Sequence, residues 1–290
     1  MVIASHTKRD VILFSAPFLI VYFLFLVGPI FYGIYLSLFD WDILGTKTFI
    51  GFKNYIEAFG DAKFLSSFWH TIEFVLVSVP VLIVLGFLMA LITVKPSKLG
   101  SIAETAFFLP FMFSSSVVGT LWAWILQAQY GLVNQIIKLC GGQSIGWLTD
   151  PNYAMLSITV ATVWWTAGFN MILFSAGMKQ IPDEIYESAR LDGASKWTTL
   201  TKITLPLLKD TTVLVLILQI IASFKIFGQP YVMTGGGPYG RTRVLVQYMY
   251  DTGFNYFRMG YASAMSMLLF AVILVISIVQ YVVTNKDNTK

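Results

Sequence analysis

Residues Glu184–Pro206 read Glu-Ile-Tyr-Glu-Ser-Ala-Arg-Leu-Asp-Gly-Ala-Ser-Lys-Trp-Thr-Thr-Leu-Thr-Lys-Ile-Thr-Leu-Pro. They lie in a connector, Lys179 to Asp210, that carries more charges than any other between two apolar blocks of the chain. Pro182 followed by Asp183 and Glu184 is a helix-start signal, because proline suits a first turn and acids complement the positive end of the helix dipole. Gly193 is the expected stop, since glycine takes the left-handed conformation that closes helices. Ser195 can cap a second short helix. Pro206 breaks that helix or sits in the first turn of the next. Ile185 and Ala189 share a face of the first helix, and Trp197, Leu200 and Ile203 make a stripe on the second. The expected shape is two short helices bent at a glycine, with an apolar ridge and mixed charges. Two readings fit it: an amphipathic connector on lipid headgroups, or a joint for a soluble partner.

What flanks this stretch is apolar. Of 290 residues, 57% are hydrophobic and 12% charged, with mean hydropathy +0.73; a soluble domain is usually about 25% charged. A membrane span needs about 20 mostly apolar residues. Six stretches qualify, near 11–38, 74–94, 106–128, 154–178, 211–233 and 261–284, and the expected fold class is an all-α polytopic membrane protein. The first is too long, and lacks the small-residue cleavage site, for a cleavable signal peptide.

Basic residues orient the chain. With both termini cytoplasmic, Lys8, Arg9, Lys95, Lys98, Lys179, Arg190, Lys196, Lys202, Lys209, Lys286 and Lys290 lie inside. Lys47, Lys53, Lys63, Lys138, Arg241, Arg243 and Arg258 lie outside, and Lys225 falls in the fifth stretch, where it snorkels or faces a cavity. Residues 1–10 are then a cytoplasmic tail and 11–290 one transmembrane domain, with the loop at 182–206 inside.

The basic residues are scattered and net charge is only +4, so nucleic acid is not an expected partner. Cys140 is alone, and His6 and His70 are the only histidines, so no metal cluster and no catalytic grouping is expected. The run Gly235-Gly236-Gly237-Pro238 lacks the Gly-Lys-Ser/Thr ending of a phosphate loop and follows a membrane span; a tight turn with close backbone approach is the better reading. The aromatic stretches Phe49–Tyr55 and Phe64–Trp69 suit an interfacial belt with a short surface helix. Mid-membrane, Trp165 and Phe169 lie four apart, as do Thr166 and Asn170, and Gln219 and Ser223. Such groups can line an interior path, stacking on a ring and bonding its hydroxyls; equally, the polar ones can bond helix to helix and the aromatics can pack on lipid.

The spacing Glu187-Ser188-Ala189, three residues, Gly193, nine residues, Ile203, one residue, Leu205-Pro206 resembles the Glu-Ala-Ala loop of ABC importer permeases, departing only at Ser188. Other segments are similar to sugar-type members: Gly51–Tyr55, Phe107–Pro110, Gly131–Asn134, Trp147–Pro151, Thr234–Pro238 and Gly260–Ala264. Where that pattern often continues to Asn-Thr before the second span, this chain has His70-Thr71.

The resemblance implies a permease subunit of an ATP-driven sugar or oligosaccharide importer, and not an enzyme. Glu187, Ser188, Ala189, Asp192, Gly193, Ile203 and Pro206 would form the joint with an ATPase. Maltose-type permeases line their sugar site from helices flanking this loop, which implies substrate contacts at Trp165, Thr166, Phe169, Asn170, Gln219 and Ser223. The implied partners are ATP-binding cassette subunits, which would hold ATP and magnesium, a second permease subunit, an extracytoplasmic substrate-binding protein and the lipid bilayer. This chain itself would hold no cofactor. The implied location is a bacterial-type inner or cell membrane, with six spans making half of a translocation path. A glycerol-phosphate substrate is the near alternative. An ion-coupled secondary transporter is the further one, and usually places carboxylates inside the membrane; none of the six stretches contains one.

Overall fold

Long apolar runs with few helix breakers leave the backbone one economical solution in a bilayer, intrahelical hydrogen bonding, and helices dominate the computed structural model, which describes residues 8–43, 45–94 and 97–287. The tail at 1–10 falls largely, and Lys95 and Lys290 wholly, outside the described residues. The chain divides into two compact units, Met1–Ala62 with Met249–Val272, and Lys63–Tyr248 with Ile273–Lys290.

The first unit begins with α1 (Lys8–Tyr22), a π-helical turn (Phe23–Val27) and α2 (Gly28–Ser37). The π turn ends two residues before Pro29, which has no N–H to return to the carbonyl four residues back; the widened turn makes room for the ring. The chain then makes a minimal hairpin, β1 (Phe39–Asp40) against β2 (Thr48–Phe49), followed by α3 (Lys53–Gly60). These two-residue strands are a small departure from an all-α fold. Asn54, 2% exposed, ties the corner: its Nδ2 donates to the carbonyls of Ser37 at 2.8 Å and Phe39 at 2.9 Å. Glu57 makes a two-pronged pair with Arg258 and raises its pKa, and Tyr261 donates to Asp61 at 2.8 Å.

The second unit is built around one helix. After α4 (Ala62–Thr93) come α5 (Lys98–Phe108), a 3₁₀ turn (Leu109–Met112), α6 (Ser115–Ile125) and α7 (Leu132–Leu139). Then α8 (Pro151–Lys179) runs 29 residues from an Asp150 side-chain cap. Beyond it lie α9 (Asp183–Leu191), α10 (Lys196–Thr199), a π turn (Leu200–Thr204), α11 (Leu205–Leu207), α12 (Lys209–Phe224), α13 (Gly228–Thr234) and α14 (Leu245–Tyr250). The chain then returns to the first unit with a π turn (Asp251–Asn255) and the beginning of α15 (Met259–Asp287), whose residues from Ile273 onward belong to the second. Helices α5, α6, α12 and α13 all pack on α8. Two apolar cores form along it, one around Met155, Ile158 and Ala161, the other around Met171, Phe174 and Met178. Gly168 makes one contact possible: a side chain there would run into the Phe107 carbonyl.

Four single helices, at 12–37, 62–93, 151–179 and 259–282, are long and apolar enough to cross a membrane. Two bent pairs could add a span each, 98–112 with 115–125 (bent 98°) and 196–207 with 209–224 (bent 64°). Three expected stretches are redrawn. The third is broken, because Pro110 tightens the helix into a 3₁₀ turn and Ser114 caps a new one at Val117 N. The fifth ends at Phe224 rather than Met233, and Lys225, exposed, is its C-cap. The second starts earlier, so Phe64–Trp69, expected at the surface as a separate helix, forms the first turns of α4 with Phe64 buried.

Candidate functional site

The connector between α8 and α12 has the predicted bend. Pro182 is the N-cap of α9 rather than a residue of its first turn, with Asp183 and Glu184 opening the helix. Gly193 has φ +73°, the left-handed region, and the Ala194 N–H returns to the Ala189 carbonyl at 2.9 Å. The Ser195 hydroxyl caps α10 by accepting from Thr198 N at 3.1 Å. The π turn at Leu200–Thr204 stands two residues ahead of Pro206, as the earlier one does ahead of Pro29. Ala189 is buried and Ile203 half-buried, whereas Glu187, Ser188, Asp192 and Gly193 are exposed. Pro206 is also exposed. Leu191 is 88% and Trp197 72% exposed, so the bend presents two large apolar side chains beside its charges. The Ser188 hydroxyl is spent on the Glu184 carbonyl at 2.8 Å.

The helices flanking the bend are joined by buried polar side chains. Asn170 Nδ2 on α8 donates to Gln219 Oε1 on α12 at 3.2 Å, and Gln219 Nε2 donates to Ser223 Oγ at 3.2 Å. Ser223 Oγ lies 3.5 Å from Ser78 Oγ on α4. All four residues are buried, so the chain links three helices away from solvent. On an adjoining face of α8 the aromatics gather. Phe169 stacks on Phe111 with centroids 4.8 Å apart, Trp165 lies 5.9 Å from the same ring, and Trp165 Nε1 donates to the Phe113 carbonyl at 3.1 Å. All three rings are half-buried. Thr166 turns its hydroxyl back to the Thr162 carbonyl at 2.8 Å. Of the six side chains expected together, Trp165 and Phe169 join an aromatic shelf, Asn170, Gln219 and Ser223 form a polar cross-link, and Thr166 belongs to neither. Phe111, which sequence reasoning missed, completes the shelf; its signal was a position next to the helix-breaking Pro110.

A second constellation was also missed. Arg241 makes a two-pronged pair with Glu73, at 2.6 and 2.7 Å. His70 Nδ1 lies 3.2 Å from the Arg243 carbonyl, and Thr71 Oγ1 accepts from Leu245 N at 2.9 Å. His70-Thr71 therefore pins the segment after the glycine run to α4, which gives this departure from the family pattern a structural role. The run itself is a turn: Gly235 and Gly236 have positive φ, and Thr242, fully buried, bonds Thr234 Oγ1 and the Gly237 carbonyl. Asn134 acts similarly near Trp147, exchanging two hydrogen bonds with Ile145 and accepting from Trp147 Nε1. Among the described residues no three His, Cys, Asp or Glu side chains group to hold a metal.

Four long apolar helices, two bent helix pairs and a bent polar connector define a polytopic helical membrane protein. The chain belongs to the family of binding-protein-dependent transport system inner membrane components, whose model matches residues 82–286. It is 34% identical to a probable ABC transporter permease protein, YurN, of Bacillus subtilis, over 92% of this chain and 93% of that protein. It is 32% identical to the sulfoquinovosyl glycerol transport system permease protein SmoG of Agrobacterium fabrum, covering 95% and 91%. With the trehalose/maltose transport system permease protein MalF of Thermococcus litoralis it shares 33% identity, covering 91% and 89%. Its fold is similar to a chain of a bacterial ABC transporter involved in the import of the acidic polysaccharide alginate, with TM-score 0.82, 25% identity and 96% of both chains covered.

Proposed function

We propose that this chain is a permease subunit of an ATP-driven sugar or oligosaccharide importer in a bacterial cell membrane, with six spans and both termini cytoplasmic. The importer class and the carbohydrate substrate are supported by relatives of near-full-length coverage whose names specify sulfoquinovosyl glycerol and trehalose/maltose. The six spans count each bent pair as one. An extracytoplasmic binding protein is the partner that the family description implies, and ATP-binding cassette subunits and a second permease complete the assembly. ATP and magnesium are held by the cassette subunits.

One observation carries the coupling mechanism: the exposed bend at 182–206 joins the same two helices, α8 and α12, that Asn170 and Gln219 bond together. A nucleotide-driven displacement of the bend is delivered to both helices as a unit. The aromatic shelf, Trp165 and Phe169 on the span so moved with Phe111 of the 3₁₀ turn against them, offers flat apolar faces to a sugar ring, with Thr166 beside it. Asn170, Gln219 and Ser223 stand behind as the cross-link and as hydrogen-bonding groups for sugar hydroxyls when the joined pair parts from α4 at Ser78. Binding that favours one arrangement of the helices over another, rather than covalent chemistry, drives the cycle.

Leu191→Asp with Trp197→Asp tests the joint, because both side chains are exposed and their loss leaves the core intact. Co-purification of the ATPase should fall at least roughly tenfold, as for apolar anchors at an interface centre, with normal amounts of inserted permease. Undiminished association and sugar-stimulated ATP hydrolysis would reject the bend as the docking element.

A further inference from the structure

A cavity of about 410 Å³ opens where α4 ends, α5 begins and α8 ends. Its polar lining is Thr93, Ser97, Lys98, Ser101, Glu104 and Lys179. We propose that it binds the phosphate of an anionic phospholipid headgroup. The two ammonium groups come from different helices, Lys98 from the first turn of α5 and Lys179 from the last turn of α8. Among the described residues neither makes an ion pair. Against them stands one carboxylate, Glu104, so the lining keeps a positive excess. Ser97 Oγ accepts from Gly100 N, which leaves its hydroxyl proton to donate to a phosphate oxygen. Glu104 can accept from a hydroxyl on the headgroup, which a glycerol head supplies and a choline head lacks.

Free phosphate shares most of this chemistry, but the flank of the cavity favours a lipid. Leu99 and Ile102, three apart on α5, are 80% and 66% exposed, an apolar strip for an acyl chain beside a basic headgroup pocket. Basic pockets between spans at the cytoplasmic face bind anionic lipid head groups. Lys179 stands three residues before Pro182, so an occupied cavity steadies the end of α8 from which the bend departs. The proposal rests on the reading that this end of α8 is cytoplasmic.

The full-length chain in detergent, titrated with phosphatidylglycerol and read by native mass spectrometry, tests this. Wild type should bind it about tenfold or more tightly than Lys98→Gln/Lys179→Gln. Lys138→Gln should bind as wild type, phosphatidylcholine should bind as weakly as phosphatidylglycerol does to the double variant, and millimolar inorganic phosphate should not displace the lipid. Equal affinity in wild type and double variant, or equal affinity for the two lipids, overturns the proposal. Displacement by inorganic phosphate also overturns it and assigns the cavity to free phosphate. The measurement needs no ATPase, so its failure leaves the coupling function standing, and loss of the coupling function leaves this result standing.

Discussion

Asn170 shows how little polar material holds the spans in register. Its amide is 1% exposed and faces Gln219, so Asn170→Ala leaves the Gln219 carbonyl oxygen without a donor in an apolar setting. An orphaned buried acceptor costs about 1–3 kcal/mol. Thermal unfolding in detergent should show that loss, and Asn170→Ala with Gln219→Leu should cost less than the sum of the single changes, since the acceptor orphaned by the first change is removed by the second. Strict additivity would mean that the two side chains are not coupled. His70 makes a second case. Asparagine at 70 can still donate to the Arg243 carbonyl, so His70→Asn should be close to neutral, while His70→Leu should lose about 1 kcal/mol in the same measurement. Equal losses would remove the hydrogen bond as the reason for this residue.

At the scale of elements, proline and glycine decide where helices stop being simple. Pro110 and the Ser114 cap break one apolar stretch into two helices, and Pro29 and Pro206 each follow a widened turn. Pro80, by contrast, is absorbed inside α4. Gly193 is the position with no substitute in the bend, because its φ of +73° disfavours any residue with a Cβ, and β-branched ones most. Gly193→Val should cost about 1–2 kcal/mol locally and re-aim α10 against α9. The expected outcome is normal insertion with transport abolished, measured as uptake by cells beside the amount of permease in the membrane. Normal uptake would show that the left-handed turn is dispensable. Ser195→Ala, which removes only a cap worth about 1 kcal/mol, should reduce uptake without abolishing it.

For the whole molecule, the proposed orientation is testable with the cysteine already present. Cys140 is exposed, just past α7 in the segment assigned to the outside. A membrane-impermeant maleimide should label it in intact spheroplasts. With Cys140 replaced by serine, Ser188→Cys in the bend should react only after permeabilisation. The opposite pattern would place the bend away from any cytoplasmic ATPase and end the coupling mechanism.

The apolar runs, the bend at Gly193, the Ser195 cap and the family spacing from Glu187 to Pro206 were all legible along the chain. Each is a local property: hydropathy summed over one helix length, a conformational preference at one residue, or a hydroxyl three residues from its partner. Tertiary structure alone decided which polar side chains meet. Nothing in the spacing pairs Glu73 with Arg241, or Asn170 with Gln219 rather than with a substrate, because those partners are 168 and 49 residues apart and meet only where the segment after α13 lies on α4 and where α12 packs on α8. The break of the third expected span is intermediate. Its cause, Pro110, was visible, but Pro80 shows that a proline alone does not break a helix; here a serine cap and the close approach of Phe107 to Gly168 accompany the break.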